Sequence, residues 1–145
     1  MADLLFEGTF VTTYQGRLPT TGAFMPMVAT AVFVFTKDGQ HSGTIHLFRG
    51  DALGTRLIKF KGSYTLSYDN ALSLYAGDFY VDLLDDHGNI IVYQKLYVVR
   101  QDDATLKFML AASAYPTHTT PPTKPAFVAP NGVLNGVLER AKTGP

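Results

Sequence analysis

Tyr93, Lys95 and Tyr97 stand two residues apart within Ile90 to Arg100, a run that contains neither glycine nor proline. On a strand this spacing puts the three side chains on one face, with an ammonium flanked by two phenol hydroxyls. On a dry face such a trio is a set of donors able to polarise a carbonyl or hold an enol as charge develops. A lysine facing an apolar interior has to be paired, shifted in its titration or put to use. Arg49, expected on an inward position across from Met27, is a reserve donor, although a long cation there also suits closing off one end of an apolar interior.

Other chemistries find little support. The chain has no cysteine, so disulfide and thiolate chemistry are excluded. His41 and His87 are expected in turns, His46 on an outer face and His118 in a proline-rich loop. They do not cluster with carboxylates at metal-ligand spacing, and there is no phosphate-binding glycine loop or nucleophile elbow, so no metal or cofactor is expected. Twelve basic and twelve acidic residues cancel, which gives no field favouring nucleic acid or an anionic membrane. The N-terminal Met-Ala-Asp-Leu-Leu-Phe lacks the pattern of a secretory signal, and no apolar run approaches a membrane span, so a cytoplasmic protein is expected.

The elements that must position these residues are strands. From Arg56 to Tyr68 the two faces separate at a period of two: Ile58, Phe60, Gly62, Tyr64, Leu66 and Tyr68 alternate with Lys59, Lys61, Ser63, Thr65 and Ser67. Gly8, Gly43, Gly62, Gly77 and Gly136 each precede a large apolar residue by two positions. Glycines of this kind let a sheet bend and let a ring lie over the backbone, as closure into a barrel requires. The likeness of Gly8 to Tyr14 and Gly62 to Tyr68 fits an internal duplication, but the bending requirement is sufficient cause.

Turn chemistry sets the expected pairing. Strand 1 is read from about Leu5 to Gln15 and strand 2 from about Pro26 to Thr36. Asp38-Gly39 suits a type I turn with a glycine bulge, which sets Phe33 opposite Gly43, Ala31 opposite Ile45, Ala29 opposite Leu47 and Met27 opposite Arg49. A joint at Asp69-Asn70 sets Tyr64 against Tyr75, Phe60 against Phe79 and Ile58 against Val81. Asp86-His87-Gly88 sets Leu83 against Ile91, Val81 against Tyr93, Phe79 against Lys95 and Gly77 against Tyr97. Asp102-Asp103 sets Val99 against Leu106, Tyr97 against Phe108, Lys95 against Leu110 and Tyr93 against Ala112.

Tyr115 to Gly132 carries five of the eight prolines and is expected to be a lid-like loop, before an eighth strand from Val133 to Ala141. The fold class is therefore all-β: one domain, an eight-stranded antiparallel up-and-down β-barrel, with a two-sheet sandwich as the alternative. Its interior either holds one small ligand among Phe10, Tyr14, Phe33, Phe60, Tyr64, Tyr75, Phe79 and Phe108, or is filled by those rings. Val28, Val32, Val34, Val92, Leu96 and Val98 are expected on the outer face, where apolar rows suggest a homodimer.

Gly8-Thr9-Phe10 on the first strand with Arg140 on the last resembles the calycin or lipocalin arrangement, in which an aromatic near the N-terminus is covered by an arginine from the end of the barrel. Size and strand count are also similar to allene oxide cyclase-like barrels and to small barrel cyclases of natural-product pathways. The resemblance implies an apolar cavity for a small hydrophobic molecule. Two functions follow as expectations. One is a cofactor-free cyclase or isomerase that folds a polyketide- or oxylipin-like substrate for ring closure, with Lys95, Tyr93, Tyr97 and Arg49 as its donors. The other is a carrier that binds such a molecule without changing it.

Overall fold

The computed structural model describes residues 7–20, 23–49, 56–117, 124–129 and 133–141. Its strands are β1 (Gly8–Thr20), β2 (Ala23–Phe35), β3 (Gln40–Arg49), β4 (Arg56–Asp69), β5 (Leu74–Leu84), β6 (Ile90–Asp102), β7 (Thr105–Ala114) and β8 (Val133–Arg140). They form a closed antiparallel barrel in sequential order, β8 returning to β1. No helix among the described residues is long and apolar enough to cross a membrane.

Two hairpins are built alike. Thr36 N–H donates to Gln40 O at 3.0 Å and Gly39 N–H to Thr36 O at 3.2 Å; Asp85 N–H donates to Asn89 O at 2.8 Å and Gly88 N–H to Asp85 O at 3.1 Å. Gly39 and Gly88 both sit at φ +82°, the left-handed conformation that closes a bulged type I turn. The first turn delivers the expected register, Phe33 opposite Gly43 through Met27 opposite Arg49.

The later turns differ from expectation. Between β4 and β5 the loop has four residues, not a tight joint at Asp69-Asn70. The Asp69 carboxylate accepts from the backbone N–H of Ala71 and Leu72, and Ser73 turns at φ +56°. Tyr64 therefore pairs with Phe79, Tyr68 with Tyr75 and Phe60 with Leu83. The slip is an even number of residues, so both strands keep their expected faces.

At the next hairpin Leu84 pairs with Ile90, but Leu83 pairs with Val92 because a bulge leaves Ile91 unpaired. One extra residue reverses every side chain beyond it. Leu96 and Val98, expected outside, are 4% and 0% exposed, and Val92 packs against the core. Tyr93, Lys95 and Tyr97, expected inside, lie opposite Asp82, Tyr80 and Asp78 on the outer face. The β6–β7 register is also displaced by one, with Arg100 opposite Leu106 and Val98 opposite Phe108, so the two slips cancel and Leu106, Phe108 and Leu110 face inward as expected.

The core is the inward set of all eight strands, from Phe10 on β1 to Leu134 and Leu138 on β8. At one end it is almost wholly aromatic. Phe33 and Phe60 rings are 4.5 Å apart, Phe10 and Phe35 5.4 Å, Phe35 and Phe79 5.3 Å, and Tyr64 and Phe79 5.5 Å. These rings pack against one another at that end of the barrel, with Phe10, Phe35, Phe60 and Phe79 at most 2% exposed. Gly43 is required here, because a Cβ would stand 1.8 Å from Val32 O and 2.7 Å from the Phe60 ring.

Arg140 closes the same end. Its guanidinium donates to Glu7 O at 3.0 Å and to Asp103 O at 3.2 and 3.3 Å, and lies 4.8 Å from the centroid of the Phe10 ring. The Phe10–Arg140 contact expected from the sequence is present as geometry.

Candidate functional site: an outer cleft over a glycine in the wall

The residues expected to line an interior site divide. Phe10, Phe33, Phe60, Tyr64, Phe79 and Phe108 are buried and inward. Tyr64 donates its hydroxyl to Thr36 O at 2.9 Å. Tyr14 is inward and packs edge-on against Phe108 at 5.6 Å, and burial pushes its hydroxyl up to about 12. Tyr75 stands half-buried at the rim, edge-on to Tyr68, with Arg100 5.9 Å from its ring centroid. Tyr93, Lys95 and Tyr97 are on the outer wall, where Lys95 Nζ is 3.8 Å from the Asp78 carboxylate. Arg49 ends β3 opposite Met27, and its side chain lies outside the described residues.

His41, expected in a turn, is instead the second residue of β3 and 3% exposed. Its ring sits 5.6 Å from those of Phe33 and Phe35, 5.8 Å from Phe60 and 6.1 Å from Phe79. The first register already contained this placement, since His41 pairs with Phe35 and shares the parity of Gly43 and Ile45. Nε2 lies 2.7 Å from Tyr80 O. A carbonyl can only accept, so Nε2 carries the proton, and Nδ1 is left without a hydrogen-bond partner among the described residues. Burial among rings lowers the imidazole to about 4, against backbone hydrogen bonds at Tyr80 and Ser63 that raise it.

The contact is possible because Gly62 lies between. His41 pairs with Gly62 on β4, and a Cβ on Gly62 would stand 1.7 Å from Tyr80 O and 3.1 Å from His41 Nε2. At Gly62 the wall is backbone alone, and on its outer side lies a cleft of about 640 Å³. The wall side of the cleft is Lys61, Gly62 and Ser63 on β4 with Tyr80 and Asp82 on β5; Gln40 and His41 reach its edge.

The opposite side of the cleft is Lys124 and Phe127, from the proline-rich segment. The described part of that segment runs along the outer wall. Ser113 and Val128 exchange backbone hydrogen bonds at 3.0 and 3.1 Å, and Phe127 meets Tyr80 at 6.0 Å between ring centroids. Lys124 Nζ lies 4.5 Å from the Phe127 centroid, 5.1 Å from Tyr93 and 5.6 Å from Tyr80. Asp82, opposite Lys61 across the β4–β5 ladder, is half-buried. Desolvation raises its carboxyl, while the Lys124 and Lys61 charges pull it down.

The cleft thus brings together ring faces, two ammonium groups, a partly desolvated carboxylate and the polar groups of Ser63 and Gln40. Tyr93, singled out from the sequence, belongs to its border through Lys124. No group of histidines and carboxylates able to hold a metal occurs among the described residues. A smaller hollow of about 310 Å³, between Leu57, Lys59, Leu84 and Asp85, has fewer converging groups. Comparison with protein-family models, curated proteins and solved structures finds no match, so the reading of the site rests on its geometry.

Proposed function

We propose that the protein binds a small molecule without transforming it, in the cleft between the Lys124 to Phe127 segment and the outer wall of β4 and β5. The observation that carries this reading is the convergence of apolar ring faces and a few polar groups on one concavity of about 640 Å³, within the size range of small-molecule sites. Tyr80 and Phe127 would take the apolar body of the ligand. Lys61, Asp82, Ser63 and Gln40 would fix its polar end.

The test is a thermal-shift titration with small amphiphilic molecules, repeated on Phe127→Ala and Tyr80→Ala. A ligand of the cleft should raise the melting temperature of the parent protein and lose affinity about tenfold in either variant, the effect of removing one ring wall. The cyclase reading is the second one, and the inward placement of Tyr14 is what it rests on: its ring packs edge-on against Phe108 in the barrel interior, where a neutral hydroxyl could donate to a substrate carbonyl. Binding that survives both ring substitutions and is lost in Tyr14→Phe would move the site into the barrel and support that alternative.

A further inference from the structure

The arrangement around Lys124 says which ligands the cleft would take. Three rings from three places in the chain, Tyr80 on β5, Tyr93 on β6 and Phe127 on the segment, surround one ammonium at 4.5 to 5.6 Å. The face of an aromatic ring is negative and draws a cation most strongly when that cation is weakly hydrated. Lys124 is itself exposed, so leaving the rings would return its ammonium to water.

Building on the cleft reading, we propose that Tyr80, Tyr93 and Phe127, together with Asp82, form a receptor for an organic ammonium ion of the quaternary or multiply alkylated kind, and that Lys124 fills this receptor while it is free. The exchange keeps the charge constant, since one cation replaces another beside Asp82. An alkylated ammonium has the advantage over the lysine, because it gives up less hydration and brings methyl groups against all three rings. An anion is disfavoured at the same position, because it would meet the negative faces of the rings.

The direct test is carbon-proton correlation NMR of the unmodified protein, following the Lys124 ε-methylene and the Tyr93 and Phe127 rings. In the free protein the methylene should be displaced upfield by ring currents. Tetramethylammonium chloride should return it to the position of a solvated lysine while shifting the ring signals, and sodium chloride at equal ionic strength should not. Neopentyl alcohol, a neutral molecule of similar size with a quaternary carbon in place of the nitrogen and one added hydroxyl, separates the two readings. If it shifts the Ser63 and Gln40 signals while tetramethylammonium leaves Lys124 in place, the cleft binds ligands but the cation proposal is overturned. If neither compound moves any cleft signal, both readings fail.

Lys124→Ala supplies the second test. Removing the resident cation should tighten tetramethylammonium binding about tenfold, and adding Tyr93→Ala or Asp82→Asn in that background should weaken it several-fold. A folded Lys124→Ala protein whose Phe127 signals still report contact with Tyr80, and which prefers neopentyl alcohol to tetramethylammonium, contradicts the proposal.

Discussion

On the two sides of the wall at Gly62 the chain surrounds a nitrogen base with aromatic rings, and the two bases differ in their access to water. Inside, four phenylalanines enclose His41 and its imidazole is pushed down to about 4. Outside, Tyr80, Tyr93 and Phe127 surround the exposed ammonium of Lys124. The attraction of rings for a cation is available in both places and amounts to about 0.5–2 kcal/mol. The loss of water is not shared: His41 is 3% exposed, and a fully desolvated charge costs several kcal/mol unless it is paired. An imidazole is already the weaker base by about four units in water, and the burial of His41 weakens it further in spite of the rings around it.

The largest way to disturb this contrast is to open the inner box. Phe79 is 0% exposed and touches Phe35, His41 and Tyr64, so Phe79→Ala should cost about 3–5 kcal/mol in urea unfolding. Acid should act nearly as strongly through His41. Its folded pKa lies below the unfolded 6.5, so the unfolded chain takes up the proton first and stability falls as pH drops from about 6.5 to about 4. The full loss is about 3 kcal/mol, from roughly 1.4 kcal/mol per pH unit. His41→Phe, unfolded at the same pH values, should lack this slope. Asp82, raised by burial, contributes with the opposite sign, and the difference between the two proteins removes it. Asp85, lowered first by its hydrogen bond from the Asn89 backbone, loses its contribution only on the acid side of the ordinary aspartate value of 3.8.

Gly62→Ala attacks the partition itself. Its methyl group would collide with Tyr80 O at 1.7 Å and crowd His41 Nε2, and forcing β4 from β5 should cost about 1–3 kcal/mol by denaturant titration. The outer side is the least sensitive to substitution. Lys124→Ala should change stability by no more than about 1 kcal/mol, the scale of an exposed cation–ring contact, while altering the Tyr93 and Phe127 ring signals.

How much of this was legible in the sequence differs from place to place. Period-two alternation in β4, bending glycines and Asp-Gly turns were enough for the barrel, its strand order and the β2–β3 register. They sufficed because each feature is local and its consequence propagates along a strand. The facing of β6 was not recoverable from turn counting, because Ile90-Ile91-Val92 is apolar at every position and supports either parity. A single bulged residue, Ile91, chose between Tyr93, Lys95 and Tyr97 inside and Leu96 and Val98 inside. The warning was physical: the first choice buried a lysine without a partner, and the second buried only aliphatic groups beyond Gln94.

His41 was hidden for the opposite reason. Its register was correct, but a polar residue next to a turn reads as exposed unless the Phe35 opposite it is taken into account. The cleft was not legible at all. It depends on where the proline-rich segment crosses the wall, and that path is set by the Ser113–Val128 backbone bridge and by ring contacts distant in sequence.

The measurement that tests the contrast most directly is nitrogen-15 NMR of the imidazole of His41 as the pH is lowered. The structure requires a neutral ring with its proton on Nε2 at about pH 5, taking up a second proton only near 4. An imidazolium at about pH 6, or a neutral ring protonated on Nδ1, would contradict it, since either needs an acceptor for an Nδ1 proton and Nδ1 has no hydrogen-bond partner among the described residues.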